Sequence, residues 1–220
     1  MKPLVASHTF LNTFERCPKQ AFHCYVAKDL PFVESDAMRW GNVVHNGMEN
    51  RLKHNQPLPE TCKDYEPFAQ QLENMNVSLL VEFKMGIKAD GSFCDFFAPD
   101  VWMRGKADVI VLPGANAFLL DWKTGKRRED AAELERFAVM ARARFPLVEK
   151  FLGAYVWLKD LKMGQTHDLN DTERRLAYDR RLMEQAQELR KRGGEWPAHE
   201  NGLCRQYCDV MSCQFNGRRG

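Results

Sequence analysis

The chain has 220 residues, with 32 lysines and arginines against 30 aspartates and glutamates, and seven cysteines. A chain of this length buries enough apolar surface to fold without covalent staples, and sparse, odd-numbered cysteines read as reduced thiols or metal ligands of a cytoplasmic protein rather than as a disulfide framework. The N-terminal apolar stretch Leu4-Val5-Ala6 is too short for a secretion signal, and the apolar run at residues 151–158 falls far below the roughly 20 residues that a bilayer requires, so the expectation is a chain with no membrane-bound state.

In chain order, residues 9–28 and 38–54 read as helices, the second with Val44, Met48 and Leu52 on one apolar face. Residues 54–67 contain three prolines and read as a linker. Residues 78–87 alternate apolar and polar side chains, and residues 101–112 and 117–123 are β-branched or aromatic runs flanking Pro113-Gly114-Ala115-Asn116, which is a hairpin pattern. Glu129 and Asp130 then sit where acids favour a helix start. Leu134, Phe137, Ala138, Ala141 and Phe145 form a helical stripe that Pro146 stops. Residues 150–161 read as a strand able to return beside the hairpin. A last helix is expected from about Asn170, with Glu173 as its capping pair, to the Gly193-Gly194 stop. The order implies an α/β fold, a mixed β-sheet flanked by helices.

The near balance of charge hides an asymmetry. Residues 1–120 carry 12 basic and 14 acidic side chains, whereas residues 121–220 carry 20 and 16. Lys126-Arg127-Arg128, Arg142 with Arg144, Arg174-Arg175, Arg180-Arg181 and Arg190-Lys191-Arg192 offer a stripe for a phosphate backbone, or else a solvated helix face.

Three acid-x-Lys tripeptides occur, and Asp121-Trp122-Lys123 is the one with a geometric argument. If the hairpin closes with Leu112 opposite Ala117, Asp108 faces Asp121. Two opposed carboxylates about 5 Å apart repel unless a cation lies between them. The two-residue strand period also puts Lys123 on the face of Asp121. A slip of one residue would instead leave Asp108 on the solvent face. Glu82 shares a strand face with Lys84, which fits either a cross-strand ion pair or a place near the metal. At the other end of the chain, Cys204, Cys208 and Cys213 fall within ten residues and need a fourth ligand to complete a site. Cys62 and Cys94 have no neighbours in sequence and read as free thiols.

Arg104-Gly105-Lys106-Ala107-Asp108 followed by Leu119-Leu120-Asp121-Trp122-Lys123-Thr124-Gly125 resembles the PD-(D/E)XK nuclease superfamily. Phe14-Glu15-Arg16-Cys17-Pro18 and Gly41-Asn42-Val43-Val44-His45 resemble signatures of its RecB-type branch, which includes phage and CRISPR-associated exonucleases. The resemblance implies one domain over 1–220 with a restriction-endonuclease-like core at 78–161. N-terminal helices (1–54) would carry His45, and a C-terminal helix and cysteine segment would fill 170–220. It implies a Mg²⁺ or Mn²⁺ site of His45, Asp108, Asp121 and the Trp122 backbone carbonyl, with Lys123 positioning water. It also implies a [4Fe-4S] cluster on Cys17, Cys204, Cys208 and Cys213 that joins the two termini. Zinc is the alternative metal there, and Cys24, seven residues along the expected helix, is the rival to Cys17. Gly41 is expected to allow a close approach one turn before His45. The branch's Gln-x-x-x-Tyr motif falls here on Glu133 and Phe137, without the amide and the hydroxyl; Glu133 is an accessory site residue or a partner of Arg136, and Phe137 is plain core. The implied activity is hydrolysis of phosphodiester bonds at single-stranded or duplex DNA ends, with DNA held along the basic helices and near Trp122. The alternative is an inactive nuclease-fold module that binds DNA or a recombination protein. Gly125-Lys126 is followed by Arg127 rather than by a P-loop serine or threonine, so any unwinding would come from a separate helicase.

Overall fold

The turn Pro113-Gly114-Ala115-Asn116, with Gly114 at φ 65°, closes a hairpin between β3 (Met103–Leu112) and β4 (Asn116–Lys123). The computed structural model describes residues 3–31, 33–127 and 130–218. They fall into two compact units, residues 34–175 and residues 1–33 with 176–220.

The first unit is built on a seven-stranded sheet. With the hairpin it contains β1 (Ser78–Ile87), β2 (Phe93–Cys94), β5 (Lys150–Trp157), β6 (Lys162–Met163) and β7 (His167–Asp168), in the order β2-β1-β3-β4-β5-β6, with β7 on β5. β1 and β4 each run antiparallel to β3, which lies between them, and β5 returns parallel to β4 after helix α5 (Ala132–Arg144; helices are numbered along the whole chain). The hairpin register pairs Val109 with Leu120 and Val111 with Phe118, the alignment that sets Asp108 against Asp121. The expected strand over 150–161 stops at Trp157. A 3₁₀ turn and Leu161 in the left-handed region reverse the chain into β6, which pairs back onto β5.

On one face of the sheet lies α3 (Asp36–His54), N-capped by Ser35, whose hydroxyl accepts the Met38 N–H at 3.2 Å. Residues 54–67 are not a linker. Leu58 and Cys62 are buried, residues 60–65 form a 3₁₀ turn, and Pro67 lies in the first turn of α4 (Glu66–Asn74), where its missing N–H costs nothing. Val44, Met48, Leu58, Cys62, Ala69 and Leu72 close over Val109, Val111 and Trp122 as one apolar core. Arg51 ties the two helices together, bonding Glu66 at 2.7 Å and Glu73 at 2.7 Å. On the opposite face α5 buries Leu134, Phe137, Ala138 and Ala141. It sits so close that a Cβ at Gly105 would lie 2.7 Å from the Met140 methyl. Asp130 bonds the Ala132 N–H at the start of α5, whereas Glu129 lies outside the described residues.

The second unit starts with α1 (His8–Arg16), capped by Ser7. The expected single helix over 9–28 is broken at Cys17, which is extended (φ −159°, ψ 102°). Pro18 then begins the short α2 (Pro18–Ala21), followed by a π-helical stretch at residues 22–27 that ends on left-handed Lys28. The break follows from Pro18, which disfavours helical backbone in the residue before it. Helix α6 (Thr172–Arg192) begins in the sheet unit and ends at Gly193 and Gly194, both at positive φ. Its first turn is capped not by Asn170 with Glu173 but by Asp171, which accepts the Arg174 N–H at 3.2 Å. The Asn170 side chain is already committed to the Phe151 N–H. Past α6, Trp196 is buried edge-on against Phe14, and the Lys19 N–H bonds the Pro197 carbonyl. Among the described residues no helix is long and apolar enough to cross a membrane.

Candidate functional site

Asp108 lies where β1, β3 and α3 meet, and both of its oxygens are engaged. Oδ1 is 3.1 Å from His45 Nδ1, and Oδ2 accepts the Trp122 backbone N–H at 2.7 Å. Glu82 Oε1 lies 3.6 Å from the same His45 nitrogen. One ligand atom each from His45, Glu82 and Asp108 falls within 4.8 Å of the others, and both carboxylates are buried. Glu82 reaches this position with a backbone φ of 49°, a left-handed conformation that is uncommon for a residue with a side chain, least of all within a strand. The register runs Val81 to Val109 and Phe83 to Ala107, so Glu82 occupies the place opposite Asp108. Its other neighbour is Lys106, which forms an ion pair with Oε2. The cross-strand ion pair and the place beside the metal candidates thus occur together, with Lys106 as the lysine and not Lys84.

Asp121 is buried but is not a member of that three-residue group. Its Oδ2 is 2.6 Å from Lys123 Nζ, which also donates to Glu133 Oε2 at 2.7 Å and lies 5.2 Å from the centre of the Tyr155 ring. Glu133 therefore belongs to the lysine's surroundings, and Phe137 is core. Trp122 enters through its N–H, while its ring is buried in the apolar core and is not open to a nucleic acid. Gly41 is not forced by a clash, since a Cβ there would meet Thr124 Oγ1 at an ordinary 3.6 Å.

The electrostatics follow from burial of like charges. Burial alone would lower the His45 pKa, but the hydrogen bond to Asp108 and the nearby Glu82 carboxylate outweigh it and raise the imidazole to about 10. Burial would raise Glu82, and the contacts with His45 and Lys106 bring it below its usual value instead. Asp121 is pushed well up by burial and then by the charge of Asp108, which Lys123 offsets only in part. Lys123 is raised because Asp121 and Glu133 outweigh its desolvation, so it is a fixed ammonium at neutral pH. Tyr155 is raised by burial and then by Glu133 and Asp121, and its hydroxyl donates to the Asp130 carbonyl at 2.7 Å. Sequence reasoning missed Tyr155 and Lys106. The signal for Tyr155 is the parallel register that pairs it with Asp121; that for Lys106 is its place two residues before Asp108.

The expected basic stripe is largely engaged within the protein. Arg127 bonds Asp160, Arg142 bonds Asn170, Arg174 and Arg175 bond Glu135, and Arg192 bonds Glu188; Arg128 lies outside the described residues.

In the other unit Cys17, Cys204, Cys208 and Cys213 are all buried and line one narrow cavity with Lys19, Gln20, Asn201 and Val210. The Asn201 N–H donates to Cys204 Sγ at 3.3 Å, and burial raises the Cys208 thiol. Cys24 is exposed and outside the cavity lining. The helix break at Cys17 removes the common face on which the two were to be interchangeable. Cys62 and Cys94 are buried free thiols in the sheet unit.

No protein-family profile matches the sequence, and no curated protein is significantly similar to it. Among solved structures, the crystal structure of a protein named SSO0001 resembles it with a TM-score of 0.54 at 18% identity, over 96% of this chain and 86% of that one. A likeness at that identity is one of fold.

Proposed function

We propose that the chain is a divalent-metal-dependent deoxyribonuclease of the PD-(D/E)XK superfamily, RecB-type branch, acting on DNA ends. The observation that carries the reading is the buried convergence of Asp108 with His45 and Glu82, set against the Asp121–Lys123 pair across the hairpin. The sheet supports it: three antiparallel strands followed by a helix and a parallel strand fit a restriction-endonuclease-like core.

The residues fit a hard cation. Neither oxygen of Glu82, nor Asp121 Oδ2, takes a hydrogen bond of regular geometry among the described residues. Buried carboxylates with one imidazole suit Mg²⁺ or Mn²⁺ better than a thiolate-seeking metal. Asp108, Asp121, His45 and the Trp122 carbonyl would hold the ion, with Glu82 able to join them. When bound, such an ion acidifies water and neutralises charge on a phosphoryl group. The chain's own part is orientation. The Trp122 N–H fixes one oxygen of Asp108 and leaves the other toward His45. Lys123, fixed between Asp121 and Glu133, keeps its proton and so aligns a water or a phosphate oxygen rather than acting as a base.

The cysteines fit a [4Fe-4S] cluster as a structural cross-link between the N- and C-terminal segments. Four buried thiols share a cavity with no disulfide among them. Zinc, with bonds of about 2.3 Å, would draw its sulfurs to roughly 3.8 Å from one another. Among the described residues no three cysteine sulfurs lie within 4.8 Å of one another, so the thiols as they stand are not drawn together around either metal.

Asp121→Asn and Lys123→Ala are expected to abolish Mn²⁺-dependent degradation of end-labelled DNA while DNA binding persists. Undiminished cleavage by both variants refutes the catalytic assignment. Absence of cleavage by the wild-type chain, with binding retained, selects the inactive binding module.

A further inference from the structure

We propose that the face of β1 and β3 beside the metal centre is a binding track for single-stranded nucleic acid, formed by Lys84, Arg104 and Lys106 with the aromatic pair Phe96 and Phe97. The inference deepens the nuclease reading and rests on it for the end of the track at which a phosphate would react.

Phe83 packs against Phe145 with the rings tilted, and Gly105 faces Met140 and Phe137, so the α5 face of this part of the sheet is closed. The alternating residues Lys84, Arg104 and Lys106 lie on the other face. The register sets Lys84 directly opposite Lys106, and Arg104 opposite Gly86. Like charges directly opposed across two strands are destabilising. Lys106 is compensated by Glu82, but neither Lys84 nor Arg104 has a carboxylate partner among the described residues.

Both cations are instead held over aromatic rings. Lys84 Nζ lies 5.9 Å and 5.5 Å from the centres of Phe96 and Phe97, and Arg104 Cζ lies 4.9 Å and 5.9 Å from them. The two rings stand edge to face at 4.8 Å in the turn after β2, and Phe97 is 74% exposed. Gly86 brings that turn against the sheet, since a Cβ there would come within 3.0 Å of the Asp95 carbonyl oxygen. The turn's own acids are Asp95 and Asp100, and Asp100 is held by Lys88 at 3.0 Å.

Open cations beside a solvent-facing ring are the elements that bind single strands, the cations following the phosphates and the ring stacking a base. An acidic peptide would need the cations but not the ring. The direction is set by Lys106, whose partner Glu82 also contacts His45. Successive rows along the strands are about 6.7 Å apart, the order of the separation between neighbouring phosphates of an extended strand. A strand leaving the metal centre therefore meets the Lys84–Lys106 row, then Arg104, and then the Phe97 ring.

The test is the anisotropy of a fluorescein-labelled oligothymidylate with the full chain in EDTA, over a range of KCl concentrations. The double variant Lys84→Ala/Arg104→Ala should bind more weakly, and its slope of log affinity against log salt should be shallower by about 1.4. Phe97→Leu, which keeps an apolar side chain, should weaken binding roughly 5- to 150-fold at an unchanged slope. Phe97→Tyr should bind as the wild type does. Wild-type affinity and slope in the double variant and in Phe97→Leu overturn the proposal. So does a loss confined to polyglutamate or to phosphatidylserine vesicles. If the expected binding pattern appears without metal-dependent cleavage, the track stands and the nuclease reading fails. If cleavage appears and the variants bind as wild type, the track fails and the nuclease reading stands.

Discussion

Replacing His45 by Gln in the metal-free protein is expected to change how stability depends on pH. The imidazole rises from 6.5 to about 10 because Asp108 and Glu82 hold its proton. At about 1.4 kcal/mol per pKa unit, the full shift corresponds to roughly 5 kcal/mol. The ring is 31% exposed, and solvent screening reduces the usable part to about 2 kcal/mol. A folded-state pKa above the unfolded value means that this stabilisation is complete below pH 6.5 and is lost as the pH rises toward 10. Urea unfolding in EDTA, followed by tryptophan fluorescence, measures it, since Trp40, Trp102, Trp122 and Trp157 all belong to the sheet unit. The gap in unfolding free energy between wild type and His45→Gln should be largest near pH 6 and smaller by about 2 kcal/mol near pH 10. A gap of equal size at both ends refutes the reasoning. With Mn²⁺ the sign inverts, because a ligating imidazole gives up its proton and metal affinity climbs with pH.

Arg51→Ala should destabilise the sheet unit by about 2 kcal/mol, because it strands Glu66 and Glu73, which are 30% and 38% exposed; chemical denaturation reads it. Gly86→Ala should cost about 1–3 kcal/mol in the same assay, since its Cβ would meet the backbone oxygens of Asp95 and Cys94 at 3.0 Å and 3.1 Å. Cys17→Ser should abolish broad absorbance near 400 nm and bound iron, while Cys24→Ser should leave both intact; a colourless wild-type protein with stoichiometric zinc refutes the cluster.

Much of the sheet unit is legible in the chain because its signals are local. A turn containing Pro113 and Gly114 between two apolar runs fixes the hairpin register, and that register alone sets Asp108 against Asp121. What escapes notice depends on partners distant in sequence. Helix α4 hides behind three prolines, because its stability comes from Arg51 and from the core beneath α3 and not from its own periodicity. Glu82 carries no mark of its left-handed backbone, which only the surrounding strands can impose. Lys123 is readable as a lysine beside an aspartate, but its bond to Glu133 depends on where α5 begins. The interruption at Cys17, by contrast, is written locally in Pro18 and is lost when periodicity alone is followed.

The unit that holds the four cysteines is assembled from residues 1–33 and 176–220, whereas the sheet unit is one continuous segment. On a ribosome the two cannot mature together. The sheet unit can form as soon as its own residues emerge, but Cys17 must wait for Cys213, roughly 200 residues later, or about 10–40 s at ordinary elongation rates. During that interval the first cysteine is an unshielded thiol. Delivery of anything to this cavity is therefore a late event, after the catalytic candidates have already been brought together.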